Sequence, residues 1–220
     1  MLTIELIEPN IPQLIKDDTV SKALQLLSDY KLTHLPVVSE DNFLGMIAED
    51  DLMDAEDQKA TIEYLLPQLI PALVKQEAHF LAAVTATIEF ECNIVAVVGQ
   101  EQKLKGVITA SALLKTLGNF TGADKPGGII VLGMNRQQYA ISEISRICES
   151  NDCSILHLNT TFEPENSRLM VTLHLNKTEI GPLVHSFERY EYEVLYYQGK
   201  DEVDGSIKSN YDHLMNYLDI

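Results

Sequence analysis

Two glycines that precede predicted helix starts are the residues of this sequence whose spacing could support ligand chemistry. Gly45 and Gly106 each stand at the end of a β-rich run, where the chain must turn sharply and where the missing Cβ would let a ligand approach the backbone. A helix is predicted to begin a few residues after each glycine, so that its free N–H groups would point into a cleft. Thr109 stands at the second helix start, where its hydroxyl could bond a phosphate oxygen beside the backbone amides. The pattern therefore predicts an anion-binding site.

The other reactive side chains form no recognisable catalytic or metal-binding pattern. The sequence contains no nucleophile-elbow, Walker or zinc-protease motif, so no catalytic residue is predicted. Cys148, Cys153 and His157 superficially resemble a metal-binding set, but their spacing matches no common zinc pattern. Cys148 also falls on the apolar stripe of a predicted helix, and free cysteine is among the most buried residue types. We therefore predict that the cysteines are core residues and that the protein holds no metal.

The charge balance argues against two large classes of partner. The 220 residues include 16 basic and 33 acidic side chains, which gives a formal net charge of −17. Such a chain repels phosphodiester backbones and anionic lipid, so neither nucleic acid nor a membrane is an expected partner. No apolar run approaches the ~20 residues that cross a bilayer, and the N-terminal residues lack the basic and apolar regions of a signal peptide. Because three cysteines, an odd number, also suggest reduced thiols, we expect a cytoplasmic protein.

An internal repeat in the first half of the chain contains both glycine motifs. Residues 17–38 align with residues 77–98 at a shift of 60 and, after one inserted residue, residues 44–52 align with residues 105–113. Two such units, each with one apolar face, would bury those faces by packing together with approximate two-fold symmetry.

Each copy of the repeat is predicted to form a helix, a strand, a tight turn, a second strand and a second helix. In the first copy, Asp18 or Thr19 can cap the first helix. The strands are predicted at 35–38 and 43–47, and the second helix begins at Glu49.

This duplicated order resembles a tandem pair of CBS domains, also called a Bateman module. The resemblance rests on the Leu35-Pro36-Val37-Val38 run, on its counterpart in the second copy, and on the two glycine motifs, and it covers residues 1–118. It places repeat 1 at about 1–58 and repeat 2 at about 59–118. It implies that the pair binds an adenosine nucleotide such as AMP, with the phosphate at the threonine and the ribose hydroxyls at an aspartate. The implied ligand-binding residues are Thr109, Asp51, Gly45, Gly106, Ile47, Ile108 and His34.

Each copy carries only half of the family's polar motif. The first copy has Ala48 in place of the hydroxyl but keeps Asp51, whereas the second keeps Thr109 but has Ala112 in place of the carboxylate. Six carboxylates also fall within residues 49–57 and would repel a polyphosphate that carries no metal. Two alternatives therefore stay open. Thr109 and Asp51 either anchor a ligand, or they are only a helix N-cap and a first-turn carboxylate that complements the helix dipole.

The second half of the chain follows a glycine-rich and proline-rich linker predicted at 119–127. Residues 128–200 read as strand, helix, two strands, helix and strand, and this βαββαβ order is typical of a ferredoxin-like fold. The order resembles an ACT domain, and a CBS pair followed by an ACT domain resembles the bacterial acetoin-utilisation family of regulatory proteins. The loop 135–141 lacks the glycine of amino-acid-binding ACT domains. Pairing between chains is therefore the expected role of this domain. Residues 201–220 are predicted to form a helical tail.

The sequence thus predicts an α/β (α+β) protein in which a CBS pair precedes an ACT-like domain. We expect a non-enzymatic cytoplasmic regulator that acts as a homodimer, changes its dimer geometry on binding AMP and acts on a target protein that the sequence does not identify. The alternative is a dimerisation and protein-interaction scaffold that binds no metabolite. The homodimer is expected to use both domains. One candidate surface is an apolar stripe on the last helix of the CBS pair, which consists of Ala110, Leu113, Leu114 and Leu117. The other is the edge or the open face of the ferredoxin-like sheet.

Overall fold

A computed structural model of the chain describes residues 1–164 and 167–200, so the predicted tail at 201–220 lies outside the described residues. The chain divides into two compact units, Met1–Leu117 and a second unit that begins at Gly118. Each unit has its own hydrophobic core. None of the helices within the described ranges has both the length and the apolar character needed to cross a bilayer. The mixed α+β class predicted from the sequence is confirmed.

The first unit contains two three-stranded sheets of the same design. In each sheet a short first strand runs parallel to the second, and the third strand is antiparallel to the second. The elements of the first repeat are β1 (Leu14–Ile15), α1 (Val20–Tyr30), β2 (His34–Ser39), β3 (Asn42–Ala48) and α2 (Glu49–Met53). Those of the second repeat are β4 (Leu73–Lys75), α3 (Phe80–Glu89), β5 (Ile94–Val98), β6 (Leu104–Thr109) and α4 (Ala110–Thr121). The predicted elements are present, but β1 and β4 were not expected because they are too short to show a pattern.

Local chemistry explains why these elements begin and end where they do. Thr19 caps α1, since its hydroxyl oxygen accepts a hydrogen bond from the Lys22 N–H at 3.2 Å. The helix ends at Tyr30, because the next residue, Lys31, has a φ of 54° and leaves the right-handed path. Glu40 and Asp41 both have positive φ and form the tight turn that joins β2 to β3. Because α4 continues to Thr121, the linker predicted at 119–127 begins inside a helix.

Two segments, here called straps, cross between the repeats of the first unit, and each contains a 3-10 helix, Thr3–Leu6 in one and Ile62–Gln68 in the other. The N-terminal strap (residues 2–8) lies on the second repeat, where the Glu8 N–H donates to the Val107 carbonyl at 2.9 Å. The second strap (residues 62–70) lies on the first repeat, where the Met46 N–H donates to the Ile70 carbonyl at 2.8 Å. The strap that precedes the first repeat thus packs on the second repeat, and the strap that precedes the second repeat packs on the first. The repeat boundary that was predicted at residue 58 would therefore assign each strap to one repeat although it covers the other.

The straps also explain the two glycines. Gly45 and Gly106 lie within β3 and β6 rather than at their ends, with φ of +156° and +148°, so the expected sharp turn at a strand end is wrong. A Cβ on Gly45 would lie 2.6 Å from the Cβ of Leu69, and a Cβ on Gly106 would collide with Ile7. The missing side chains therefore make room for the straps, and the close approach expected of a ligand is made by the chain itself.

The second unit is a four-stranded antiparallel sheet with two helices on one face. Its elements are β7 (Ile129–Met134), α5 (Ile141–Ser150), β8 (Ile155–Glu163), β9 (Arg168–Leu175), α6 (Gly181–Arg189) and β10 (Glu193–Gln198). The strand order is β10-β7-β9-β8, and the βαββαβ succession is the ferredoxin-like arrangement expected from the sequence. The core of this unit lies between the sheet and the helices, and Ile130 of β7, Leu173 of β9 and Phe187 of α6 are each 0% exposed in it.

Candidate functional site

The starts of α2 and α4 meet at Thr33 and Asn93, which hold equivalent positions in the two repeats. The Thr33 carbonyl accepts a hydrogen bond from the Glu49 N–H at 2.9 Å, and the Asn93 carbonyl accepts one from the Ala110 N–H at 2.8 Å. Thr33 and Asn93 also bind each other, because the Thr33 N–H and hydroxyl both donate to Asn93 Oδ1 at 2.9 Å. This pair joins the two half-motifs across the approximate two-fold axis. It was missed in the sequence, although the same shift of 60 residues relates its two members.

Thr109 lies where it was expected, at the start of α4, and its hydroxyl is already bonded within the chain. Its oxygen accepts a hydrogen bond from the Ala112 N–H at 3.2 Å, which makes Thr109 the N-cap of the helix. The hydroxyl donates to Glu8 Oε1 at 2.6 Å, and the oxygen of Ser111 lies 2.9 Å away. The side chain is buried. A carboxylate of the N-terminal strap thus occupies the position at which a phosphate was expected.

His34 lies beside the Thr33–Asn93 pair. Its Nδ1 atom lies 2.8 Å from the hydroxyl oxygen of Thr33. Since the single proton of that hydroxyl is donated to Asn93, we infer that His34 Nδ1 carries a hydrogen and donates it to Thr33. Burial lowers the pKa of the His34 imidazole below its ordinary value, although the nearby carboxylates of Asp51 and Asp50 act in the opposite direction. Asp51 is therefore close enough to His34 to act on its imidazole electrostatically.

Ile47 and Ile108 do not line an open surface. Both side chains are 0% exposed and belong to the core of the first unit. They lie opposite Leu35 and Val95 on the neighbouring strands. Their expected role as ligand contacts is therefore wrong for the side chains, because both strands are covered on each face at these positions.

The acidic run at residues 49–57 lies partly in α2 and partly beyond its end. Glu49, Asp50 and Asp51 fall in its first turn, where carboxylates interact favourably with the N-terminal end of the helix dipole. The helix ends at Met53, and the remaining acidic side chains at Asp54, Glu56 and Asp57 are exposed. The part of the run that follows α2 is therefore a solvated surface.

The cysteines of the second unit are core residues. Cys148 and Cys153 are 1% and 3% exposed, and burial, together with the neighbouring Cys153, raises the pKa of the Cys148 thiol to about 12. Within residues 1–164 and 167–200, His, Cys, Asp and Glu side chains form no group of three able to hold a metal ion. The core position predicted for these thiols is confirmed.

A cavity of about 200 Å³ lies beside the loop 135–141 of the second unit. Its lining includes Met134, Gln138, Glu143, Glu191 and Tyr192, and the Tyr192 hydroxyl donates to Glu143 Oε2 at 3.0 Å. Two carboxylates in its wall would repel the carboxylate of an amino acid and attract its ammonium group, so their charge does not by itself favour this ligand. The cavity thus offers no argument for amino-acid binding.

The lowered pKa of His34 predicts that the stability of the protein changes with pH. The unfolded chain takes up a proton at a higher pKa than the folded chain, so the wild type should lose stability as the pH falls below about 6.5. His34→Asn removes this titration. The difference in the free energy of unfolding between wild type and variant, measured by urea denaturation at several pH values, should be constant above that window and change within it. A difference that stays constant from about pH 8 to pH 5 would contradict a buried neutral imidazole.

Comparison with known proteins supports the fold of the first unit. Residues 4–57 match the family model of the CBS domain. A curated relative, the inosine-5′-monophosphate dehydrogenase of Methanocaldococcus jannaschii, is 27% identical over 117 residues. That match covers 52% of this chain, and the chain spans only 23% of the length of the relative.

One solved structure supports the same fold. A CBS domain pair/ACT domain protein from Thermotoga maritima aligns with a TM-score of 0.50 and 21% identity, over 55% of this chain and 98% of the other. CBSX2, solved in complex with AMP, aligns with a TM-score of 0.44 and 20% identity, over 54% of this chain and 97% of the other. The CBS domain pair predicted from the sequence is confirmed at the level of the fold.

Proposed function

We propose that this chain is a non-enzymatic cytoplasmic regulatory protein, similar to the CBS–ACT proteins of the acetoin-utilisation family. Its CBS pair binds an adenosine nucleotide, AMP or a close relative, and its ferredoxin-like unit is an ACT-like domain that takes part in assembly. The observation that carries the proposal is the hydrogen-bonded pair Thr33–Asn93. This pair brings together two helix starts, one with the half-buried carboxylate Asp51 and the other with the hydroxyl Thr109.

The two half-motifs divide the chemistry of a nucleotide between them. Asp51 offers carboxylate oxygens that can accept hydrogen bonds from ribose hydroxyls. The twelve-residue helix α4 offers its N-terminal amides and the Thr109 hydroxyl to a phosphate, whereas α2 has only five residues and three carboxylates in its first turn. The phosphate is therefore assigned to the second repeat and the ribose to an aspartate of the first.

Thermal denaturation with and without AMP tests this assignment. AMP is expected to raise the melting temperature of the wild type by mass action, and Thr109→Val should abolish the shift because it removes the hydroxyl that holds the phosphate. The variant alone should also be less stable by about 1 kcal/mol, through loss of the N-cap. Thr85→Val is the matched control, since its hydroxyl binds only the Leu81 carbonyl within α3. Equal AMP shifts in all three proteins would remove Thr109 from the site.

An interaction scaffold without a metabolite is the second candidate, and one observation favours it. The Thr109 hydroxyl already has a donor and an acceptor partner within the chain. If neither AMP, ATP, S-adenosylmethionine nor adenosine changes the melting temperature of the wild type, the scaffold is the better description.

The oligomeric state supplies an independent prediction. The stripe expected on α4 is split, because Leu113 is buried in its own core at 4% exposure while Leu114 is 72% exposed. Ile88 of α3 is also 72% exposed, so apolar surface remains on the helices of the CBS pair. We expect a homodimer, the commonest closed arrangement of a self-complementary surface. Sedimentation equilibrium should give twice the chain mass of 24.6 kDa, and Leu114→Glu should weaken the dimer. A wild-type mass of one chain at low micromolar concentration would contradict this prediction.

A further inference from the structure

Glu8 contacts the start of α4 and the strand before it through both its backbone and its side chain. Its backbone N–H donates to the Val107 carbonyl at 2.9 Å, which fixes the strap beside β6. Its side chain accepts the Thr109 hydroxyl at 2.6 Å, a contact between residues 101 positions apart in the sequence. A short hydrogen bond to an ionised acceptor is among the stronger kinds. Glu8 is half-buried, so its side chain can rotate toward solvent while the strap backbone stays in place.

The first repeat shows that this contact is specific to the second. The bridges Met46–Ile70 and Val107–Glu8 are equivalent, so Ile70 is the counterpart of Glu8. Ala48 is likewise the counterpart of Thr109, because both are the last residue of the third strand before the second helix. In the first repeat these two positions are both apolar, Ile70 and Ala48. In the second repeat they carry a carboxylate, Glu8, and a hydroxyl, Thr109. The two polar residues occur together, as expected if each is there for the other.

A ligand phosphate and the Glu8 carboxylate need the same features of the protein. Both are anions that would accept from the Thr109 hydroxyl, and both are favoured by the positive end of the α4 dipole. Two anions at one helix start repel each other, so they cannot both be accommodated. A ligand without a phosphate has no such conflict.

We propose that Glu8 is an intramolecular competitor of the ligand phosphate and sets the preference of the site between AMP and adenosine. This inference rests on the proposed function, since it assigns a specificity role at the same site. AMP binds only after the Glu8 side chain leaves Thr109, and this displacement lowers its apparent affinity. Adenosine binds with Glu8 in place. The wild type therefore discriminates less in favour of AMP than the motif alone would imply.

Isothermal titration with AMP and with adenosine tests this role. Glu8→Gln keeps the shape of the side chain but removes its charge, and we expect it to raise the affinity for AMP by about tenfold and to leave the affinity for adenosine unchanged. Glu89→Gln is the matched control, because it removes one exposed acidic charge from α3 of the same unit. Glu8→Ala, which vacates the position, should act in the same direction as Glu8→Gln. Equal AMP affinities in wild type, Glu8→Gln and Glu89→Gln would overturn the inference while leaving nucleotide binding intact.

Inorganic phosphate separates the inference from the proposed function. At matched ionic strength with chloride, phosphate should raise the melting temperature of Glu8→Ala more than that of the wild type or of Glu89→Gln. This result, together with no effect of AMP or adenosine on any variant, would support Glu8 as occupant of an anion position and would refute the adenosine ligand. The absence of any phosphate effect specific to the Glu8 variants would overturn the inference whatever the adenosine compounds do.

Discussion

Replacement of Gly45 with alanine is expected to destabilise the first unit by about 2–4 kcal/mol. At this position φ is +156°, and a Cβ would lie 2.6 Å from the Cβ of Leu69 and 3.2 Å from the Ile70 carbonyl oxygen. These atoms belong to or adjoin the backbone of the second strap, so no side-chain rotation relieves the overlap. The strap or β3 must move, and the hydrogen bond from the Met46 N–H to the Ile70 carbonyl is the first contact to be lost.

Gly118→Ala provides a control of opposite sign. Gly118 lies in α4 with nothing within 4 Å of a built Cβ, so alanine there should stabilise the helix by about 0.5–1 kcal/mol. Both variants can be followed by urea denaturation, with hydrogen exchange of the β3 amides as a local measurement for Gly45→Ala. Wild-type stability and unchanged β3 protection in Gly45→Ala would show that the strap does not pack on β3 as described.

Phe187→Ala should have an equal or larger effect, with a loss of about 3–5 kcal/mol from the second unit. The ring is 0% exposed and meets Tyr192 edge to face, with centroids 5.7 Å apart. Its removal leaves a cavity between α6 and the sheet. The ring of Tyr192 also loses its packing partner. The Tyr192 hydroxyl bonds to Glu143 of α5, and burial together with that carboxylate raises the pKa of Tyr192 to about 12.

Tyr196→Ala is the control for the second unit, because that aromatic ring on β10 is 51% exposed. Its removal should change the free energy of unfolding by no more than about 0.5–1 kcal/mol. Hydrogen exchange of the β7 and β9 amides reports on this unit directly. Equal protection in Phe187→Ala and Tyr196→Ala would contradict a core built around Phe187.

The candidate site was only partly predictable from the sequence. Thr109 was placed at a helix start from the glycine motif, because the helix start that follows a strand is a local feature, whereas His34 and Asp51 were expected only from the family resemblance. Thr33 and Asn93 were missed, since neither residue belongs to a motif and their importance arises only when the two repeats face each other. Glu8 was missed for the same reason, as it lies 101 residues from its partner.

The sequence by itself determined the repeat, the order of the helices and main strands, and the division of the chain into an N-terminal pair and a ferredoxin-like unit. These features follow from hydrophobic periodicity, turn residues and caps, which act over a few residues. Only the tertiary structure decided that the straps exchange between repeats, that Gly45 and Gly106 accommodate them, and that Ile47 and Ile108 face the core. It also decided which anion stands at the start of α4. The physical reason is that close backbone approach and charge pairing depend on segments far apart in the chain, and no local pattern encodes which segment will arrive.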